Sequence, residues 1–300
     1  MTHDTIHNAS STAAIPVVVV GALGKMGLET TKAVQAAPGL DLVACIDPLF
    51  AKSAPADAPC SPLAQGGSDC ALLTSLDELM ATGLVDPKAT RTVLIDFTRP
   101  DVIEANLTKA LPLGFDCVVG TTGLSETQLA ALEALIYQDR CLFIAPNFAI
   151  GAVLMMQLAE KVIPYMPMVE VIEFHHDNKL DAPSGTAKRT AEMLAAVRAE
   201  ALPSFTATAP GAETELPGCK GARGALIDGV PVHSVRIPGY VAHQEVIFGG
   251  LGQTLTIRHD SIDRSSFMPG VVLACEKIIN RSGLITGLEN LMDLSEEAEE

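Results

Sequence analysis

The sequence has 300 residues, 48% hydrophobic and 4% aromatic, with no Trp and a formal net charge of −16 at pH 7. That length holds two domains at about 150 residues each, with an aliphatic core. The charge excludes a nucleic-acid binder, which needs a basic surface to displace counterions from phosphate, and it opposes contact with anionic membranes.

Met1 to Ala14 is rich in Ser, Thr and Ala, has no Lys or Arg, and lacks the apolar stretch of a signal peptide; residues 1–14 read as a disordered tail. From Ile15 the pattern changes. Val17 to Val20 is a continuous β-branched run, as in a strand buried on both faces. Gly21 to Gly27 follows, then a helical stretch to about Ala37, stopped by Pro38-Gly39. Leu40 to Ile46 reads as a second strand and closes a βαβ unit of right-handed connection. Pro48 to Gly67 is loop-like. Ser75-Leu76-Asp77-Glu78 has the form of a capping box opening a short helix. Thr92 to Phe97 is a third strand, and a helix runs from Pro100 to about Leu111. Phe115 to Val119 is a fourth strand. Ser125-Glu126-Thr127-Gln128, a second capping box, opens a helix to about Tyr137, and Cys141 to Ala145 is a fifth strand. Short apolar strands alternating with helices predict an α/β domain with a Rossmann-type, doubly wound parallel sheet.

After about Phe148 the pattern differs. A helix runs through Leu154 to Lys161, Val169 to His175 is a strand, and Ala187 to Val197 is a helix. Strand-like runs at His233–Ile237, Gln244–Phe248 and Thr254–His259 are joined by Gly-rich turns. This predicts a second domain of α+β type with an antiparallel or mixed sheet. Pro269 to Gly283 reads as helical and apolar enough to pack back on the first domain, and Glu296 to Glu300 is an acidic tail. No apolar run approaches the ~20 residues of a membrane helix. The seven Cys form no C-x-x-C pair, and Cys45, Cys117 and Cys141 sit in apolar runs. A reducing compartment is expected, with neither a disulfide framework nor a zinc site.

Gly21-Ala22-Leu23-Gly24-Lys25-Met26-Gly27 spells G-x-x-G-x-x-G between a buried strand and a helix. Glycines there permit a tight turn and close approach to a pyrophosphate, and the helix N-terminus adds free N–H donors. Asp47 ends the second strand, twenty residues beyond Gly27, placed to accept hydrogen bonds from ribose hydroxyls. The expected ligand is a dinucleotide. Gly120-Thr121-Thr122-Gly123 and Ala145-Pro146-Asn147-Phe148 leave later strands on the same edge, and their small, polar residues suit a nicotinamide and its carboxamide. Either run alone has the composition of an ordinary turn.

Five of the seven His (His175, His176, His233, His243, His259) and Arg223, Arg236 and Arg258 lie in the second domain, a local reversal of sign in an acidic chain. His175 and His176, ending a strand, point to opposite faces, so no metal site is expected. Lys179 follows as a proton donor set among cations. Ser184 is a good N-cap, and the N–H groups near Gly185 and Thr186 make a carboxylate site.

Glu173-Phe174-His175-His176-Asp177-Asn178-Lys179-Leu180-Asp181-Ala182-Pro183-Ser184-Gly185-Thr186-Ala187 closely resembles the E-x-H-H-x-x-K-x-D-A-P-S-G-T-A signature of the 4-hydroxy-tetrahydrodipicolinate reductase family. Gly21–Gly27, Asp96-Phe97-Thr98, Gly120–Gly123, Ala145–Phe148, His233–Arg236, Val241–Glu245 and Arg264–Met268 match its other segments, so the resemblance spans roughly Val17 to Leu288. It implies a cytoplasmic, two-domain NADH- or NADPH-dependent oxidoreductase of the diaminopimelate/lysine pathway. It also implies a cyclic dicarboxylate substrate and a homotetramer whose contact is mostly the second sheet. By motif position His175 is the proton donor/acceptor and Lys179 the second proton donor, while His176, Gly185 and Thr186 bind substrate. Residues 15–148 and 264–300 then form the dinucleotide-binding domain, and 149–263 the substrate-binding and oligomerisation domain. The sequence departs from the family at Pro48, where many members carry a basic residue that meets the 2′-phosphate of NADPH. Two alternatives share the glycine loop, another two-domain dehydrogenase and a non-catalytic nucleotide sensor. Neither accounts for His175, His176, Lys179 and the Pro183–Thr186 cap together.

Overall fold

The computed structural model describes residues 13–51, 70–205, 216, 218–219 and 221–292. Most of the N-terminal tail, the 48–67 loop beyond Ala51 and the acidic tail lie outside these. The chain forms two compact units, Met1–Ile144 with Val271–Ile285, and Ala145–Gly270 with Thr286–Glu300.

The first unit begins β1 (Ile15–Val20), α1 (Lys25–Ala36), β2 (Leu40–Ile46), β3 (Ala71–Leu73), α2 (Leu76–Thr82) and β4 (Val93–Asp96). It continues α3 (Ile103–Ala110), β5 (Asp116–Val119), α4 (Glu126–Glu133) and β6 (Cys141–Ile144). The strand pairs along β3-β2-β1-β4-β5-β6 are parallel. The order reverses between β1 and β4, the switch point outside which α/β sheets bind ligands. Val17, Val18 and Val19 are wholly buried, which is why the run shows no alternation. The Ser125 box forms in full, whereas Ser75 caps Glu78 N–H at 3.2 Å but the Glu78 carboxylate turns back to Thr74 instead of the cap residue.

The second unit runs α5 (Ile150–Val162), β7 (Met168–His175), α6 (Gly185–Ala201), β8 (Ala225–Ile227), β9 (Val230–Arg236), β10 (Ala242–Gly250) and β11 (Gln253–Ser261). Its sheet, ordered β11-β10-β7-β9-β8, is mixed: β7 and β9 are parallel and the other pairs antiparallel. Ala187, Ala191 and Ala195 lie four apart on α6, so one stripe of small residues packs against Val171, Val232, Val246 and Phe248. Burial of each large aliphatic or aromatic side chain there contributes about 1.5–3 kcal/mol.

The helix expected over 269–283 ends early. α7 (Met268–Ile278) stops, Gly283 takes a left-handed φ of 78°, and β12 (Gly283–Thr286) joins the first sheet beside β6. The helix expected from Pro100 starts at Ile103, because the N–H groups of Val102 and Ile103 both turn back to Arg99 O.

Candidate active site

In the first unit the expected nucleotide residues gather at the carboxyl edge of the sheet. The Gly21 and Ala22 N–H groups both bond Ile46 O, pulling the glycine turn across the end of β2. Gly21 has φ +77°, and a Cβ on Gly27 would overlap Gly21 O and stand 2.8 Å from Ala22 Cα. Only glycine therefore lets α1 approach this turn. The helix has no side-chain cap at Gly24 and no acid in its first turn, so the first-turn N–H groups, those of Lys25 and Met26 among them, keep their positive end bare. This geometry fits a pyrophosphate. Asp47 is buried at the end of β2 and braces the loop: its Oδ2 accepts from Leu23 N–H at 3.1 Å and its Oδ1 from Leu49 N–H at 3.0 Å. A carboxylate has lone pairs left for a ribose hydroxyl. Pro48 is exposed and opens a short 3-10 turn, Pro48–Ala51.

Gly120 follows β5 and its N–H bonds Asp96 O; a Cβ there would lie within the Phe97 ring, 2.5 Å from Cδ1. Thr121 is buried and Thr122 exposed. Asp96 is buried beneath these turns. Burial raises its pKa, against hydrogen bonds from Thr98 and Asn106 that lower it. In the second unit, Ala145 and Phe148 are buried, Pro146 is exposed, and Asn147 Oδ1 accepts from Ala149 N–H at 2.9 Å at the head of α5.

The substrate-side residues of the second unit are built on β7 and the loop that follows it. Glu173 and His175 are two apart on the strand and share a face. His175 Nδ1 is hydrogen-bonded to Glu173 Oε2. Arg236, paired with His175 in the β7–β9 register, grips the same carboxylate through both terminal nitrogens, Nη1 to Oε2 at 2.8 Å and Nη2 to Oε1 at 2.7 Å. Ser184 N–H also donates to Oε1, at 3.3 Å. The Glu173 side chain is 0% exposed. Burial alone would raise its pKa, but the His175 and Arg236 hydrogen bonds outweigh that and hold it at about 2.

Ser184 caps α6 as expected, accepting from Ala187 N–H at 3.2 Å. Helix geometry leaves Gly185 and Thr186 N–H without intrahelical acceptors, and the first turn carries no acid. No atom lies within 4 Å of a Cβ placed on Gly185, so the helix end opens on free space. His176 is exposed beyond the strand end. Lys179 differs from expectation. Instead of standing as a cation among imidazoles, its Nζ pairs with Asp181 Oδ1 at 2.8 Å, and this bond depresses the Asp181 pKa. Arg236 Nη2 also bonds Asp181 O at 2.8 Å. One hydrogen-bonded network thus connects His175, the Lys179 loop and the head of α6.

The cationic cluster does not act as one patch. Arg223 and His233 meet Glu170 at 2.6 and 2.9 Å, and Arg258 pairs with Glu245 and Asp260. The sequence motif alone assigns no role to Glu173 or Arg236. The signal was the spacing: residues 173 and 175 of a strand necessarily face the same way.

Family models for the dihydrodipicolinate reductase N-terminus and C-terminus match residues 15–148 and 151–292. The chain belongs to the dihydrodipicolinate reductase family. A relative in Syntrophomonas wolfei named 4-hydroxy-tetrahydrodipicolinate reductase is 46% identical over 277 residues, 92% of this chain and 98% of its own. One of the same name in Mycolicibacterium smegmatis is 44% identical over 279 residues, covering 92% and 98%. Among solved structures, the dipicolinate-bound dihydrodipicolinate reductase from Paenisporosarcina sp. TG-14 matches with a TM-score of 0.77 at 39% identity, over 93% of this chain and 100% of that one. A myo-inositol 2-dehydrogenase from Lactobacillus plantarum, 11% identical with a TM-score of 0.57, shares the fold.

Proposed function

We propose that this chain reduces 4-hydroxy-tetrahydrodipicolinate to tetrahydrodipicolinate with NADH or NADPH, a step of diaminopimelate and lysine formation. The observation that carries this reading is the network around Glu173, which joins an imidazole, an ammonium loop and an open helix N-terminus. A cyclic dicarboxylate needs fixed donors for its carboxylates, and loss of a ring hydroxyl needs a proton donor. Gly185 and Thr186 N–H hold one carboxylate, and exposed His176 adds to that hold. Lys179 protonates the departing hydroxyl, which leaves as water, and His175 exchanges the second proton. When bound, the reduced nicotinamide supplies the hydride. In the first unit Gly21, Ala22, Leu23, Gly24, Lys25 and Met26 hold the pyrophosphate, Asp47 the ribose, and Gly120, Thr121 and Thr122 the nicotinamide end; Ala145, Pro146, Asn147 and Phe148 are read as further cofactor-binding residues. The first unit is thus the dinucleotide-binding domain and the second the substrate-binding one.

The relative with bound dipicolinate supports a cyclic dicarboxylate as substrate. No helix among the described residues is long and apolar enough to cross a membrane. We place the enzyme in the cytoplasm as a homotetramer. Its contact is the face of the second sheet opposite α5 and α6, where Ile172 and Ile247 lie near the Glu170 and Arg258 ion pairs.

The test is loss of NADPH absorbance with freshly prepared substrate. Lys179→Ala should lower kcat by ~10²–10⁴, the span for removing a general acid, while NADPH still binds. Near wild-type turnover would refute the assignment.

A further inference from the structure

We propose that Glu173 is a positioning residue: it fixes the Nδ1 proton of His175, leaving Nε2 to exchange a proton with substrate, and holds the head of α6 in the same frame. The proposal rests on His175 being the acid/base group.

The geometry leaves Glu173 little freedom. Its side chain is wholly buried, and its two oxygens receive His175 Nδ1, both terminal nitrogens of Arg236 and the Ser184 N–H. A bidentate guanidinium partner keeps the carboxylate ionised. An ionised carboxylate has no proton to donate, so the hydrogen between it and the imidazole belongs to Nδ1. The imidazole is then in one tautomer, with Nε2 directed away from Glu173. The oxygen that binds Ser184 N–H sets where α6 begins, and so where Gly185 and Thr186 present their donors. Arg236 extends the frame to Asp181 O, on the loop that carries Lys179. A carboxylate–arginine pair serving only the fold would need neither the imidazole nor the helix cap on the same two oxygens.

The experiment is a cycle of wild type, Glu173→Gln, His175→Ala and the double variant, reading kcat, KM and NADPH binding. The amide can donate to Nδ1 and so permits the wrong tautomer. Glu173→Gln should lower kcat by roughly 10²-fold, as for a misaligned general acid, with NADPH binding unchanged. In the His175→Ala background the same substitution should change kcat by less than about threefold, because residues acting as a unit are not additive. An equal loss in both backgrounds would show a structural role and overturn the proposal alone. Near wild-type turnover in His175→Ala would overturn the acid/base reading, and the proposal with it. Should Glu173→Gln fail to bind NADPH, Glu173→Gln with Arg236→Met takes its place in the cycle, since it leaves no unpaired buried charge.

Discussion

Gly185→Val separates a binding role for the head of α6 from a merely structural one. No atom lies within 4 Å of a Cβ at this position, the residue is exposed, and its φ is not in the left-handed region. The added side chain therefore meets no protein atom. In a helix, valine is slightly better than glycine, by a few tenths of a kcal/mol. Stability should hold or rise a little, with the melting temperature within about 3 °C of wild type. The isopropyl group does occupy the space in front of the Gly185 and Thr186 N–H donors. A hydrogen bond to a charged group is worth about 1.5–3 kcal/mol. Loss of one should raise the substrate KM roughly 10- to 100-fold, with a smaller effect on kcat. Steady-state kinetics at saturating NADPH, beside a thermal melt, gives both quantities. An unchanged KM in a folded variant would show that the helix end is only a cap and that the carboxylate binds elsewhere.

Gly27→Ala should act in the opposite way: its Cβ meets the backbone of Gly21 and Ala22, so a cost of about 1–3 kcal/mol is expected, with weakened NADPH binding by fluorescence titration. Wild-type affinity there would contradict the close helix approach. Pro48→Arg, at an exposed position beside Asp47, should improve kcat/KM for NADPH over NADH by about 1–2 kcal/mol through a charge-assisted contact. The wild type should use NADH at least as well as NADPH, and a preference for NADPH above about tenfold would mean that another cation, such as Lys25 of the glycine loop, already reads the 2′-phosphate. Ionised Glu173, held at about pKa 2 against 4.5, lends stability that is present above pH 4.5 and lost as pH falls through 2. Unfolding free energies of wild type and Glu173→Gln should therefore converge by about 2 kcal/mol between pH 5 and pH 3; parallel curves would show that Glu173 is not ionised in the fold.

The first sheet was legible because its strands are buried on both faces. An apolar run such as Val17–Val20 has one explanation once a glycine turn and a helix follow it, and β2 appears with the bounds the sequence suggested. What escaped were the short elements. β3 and β8 have three residues each, fewer than two full repeats of a strand's alternation, and β12 has four. β12 follows the run 269–283 expected to be helical, of which the helix keeps only the part to Ile278; Gly283, with its left-handed φ, opens the strand. Cap residues were more reliable than helix lengths: Ser75, Ser125 and Ser184 all cap, while α4 ends at Glu133 before the expected Tyr137.

The site was legible as a motif but not as a pair of faces. Glu170 and Glu173 are three apart on β7, so they point to opposite sides of the sheet, and each meets one arginine and one histidine. The chemistry is nearly the same and the surroundings are not. Glu170 is 37% exposed, and a pair in that setting contributes about 0–1 kcal/mol and is screened by salt. Glu173 is wholly enclosed, and removing Arg236 would strand a buried charge at about 3–5 kcal/mol. A side chain under that constraint cannot wander, which is the property an acid/base histidine needs from its neighbour. Counting His and Arg along the sequence merges the two sets into one basic region. Counting residues modulo two along β7 separates them, and assigns Arg236 and His175 to the face that carries the helix cap.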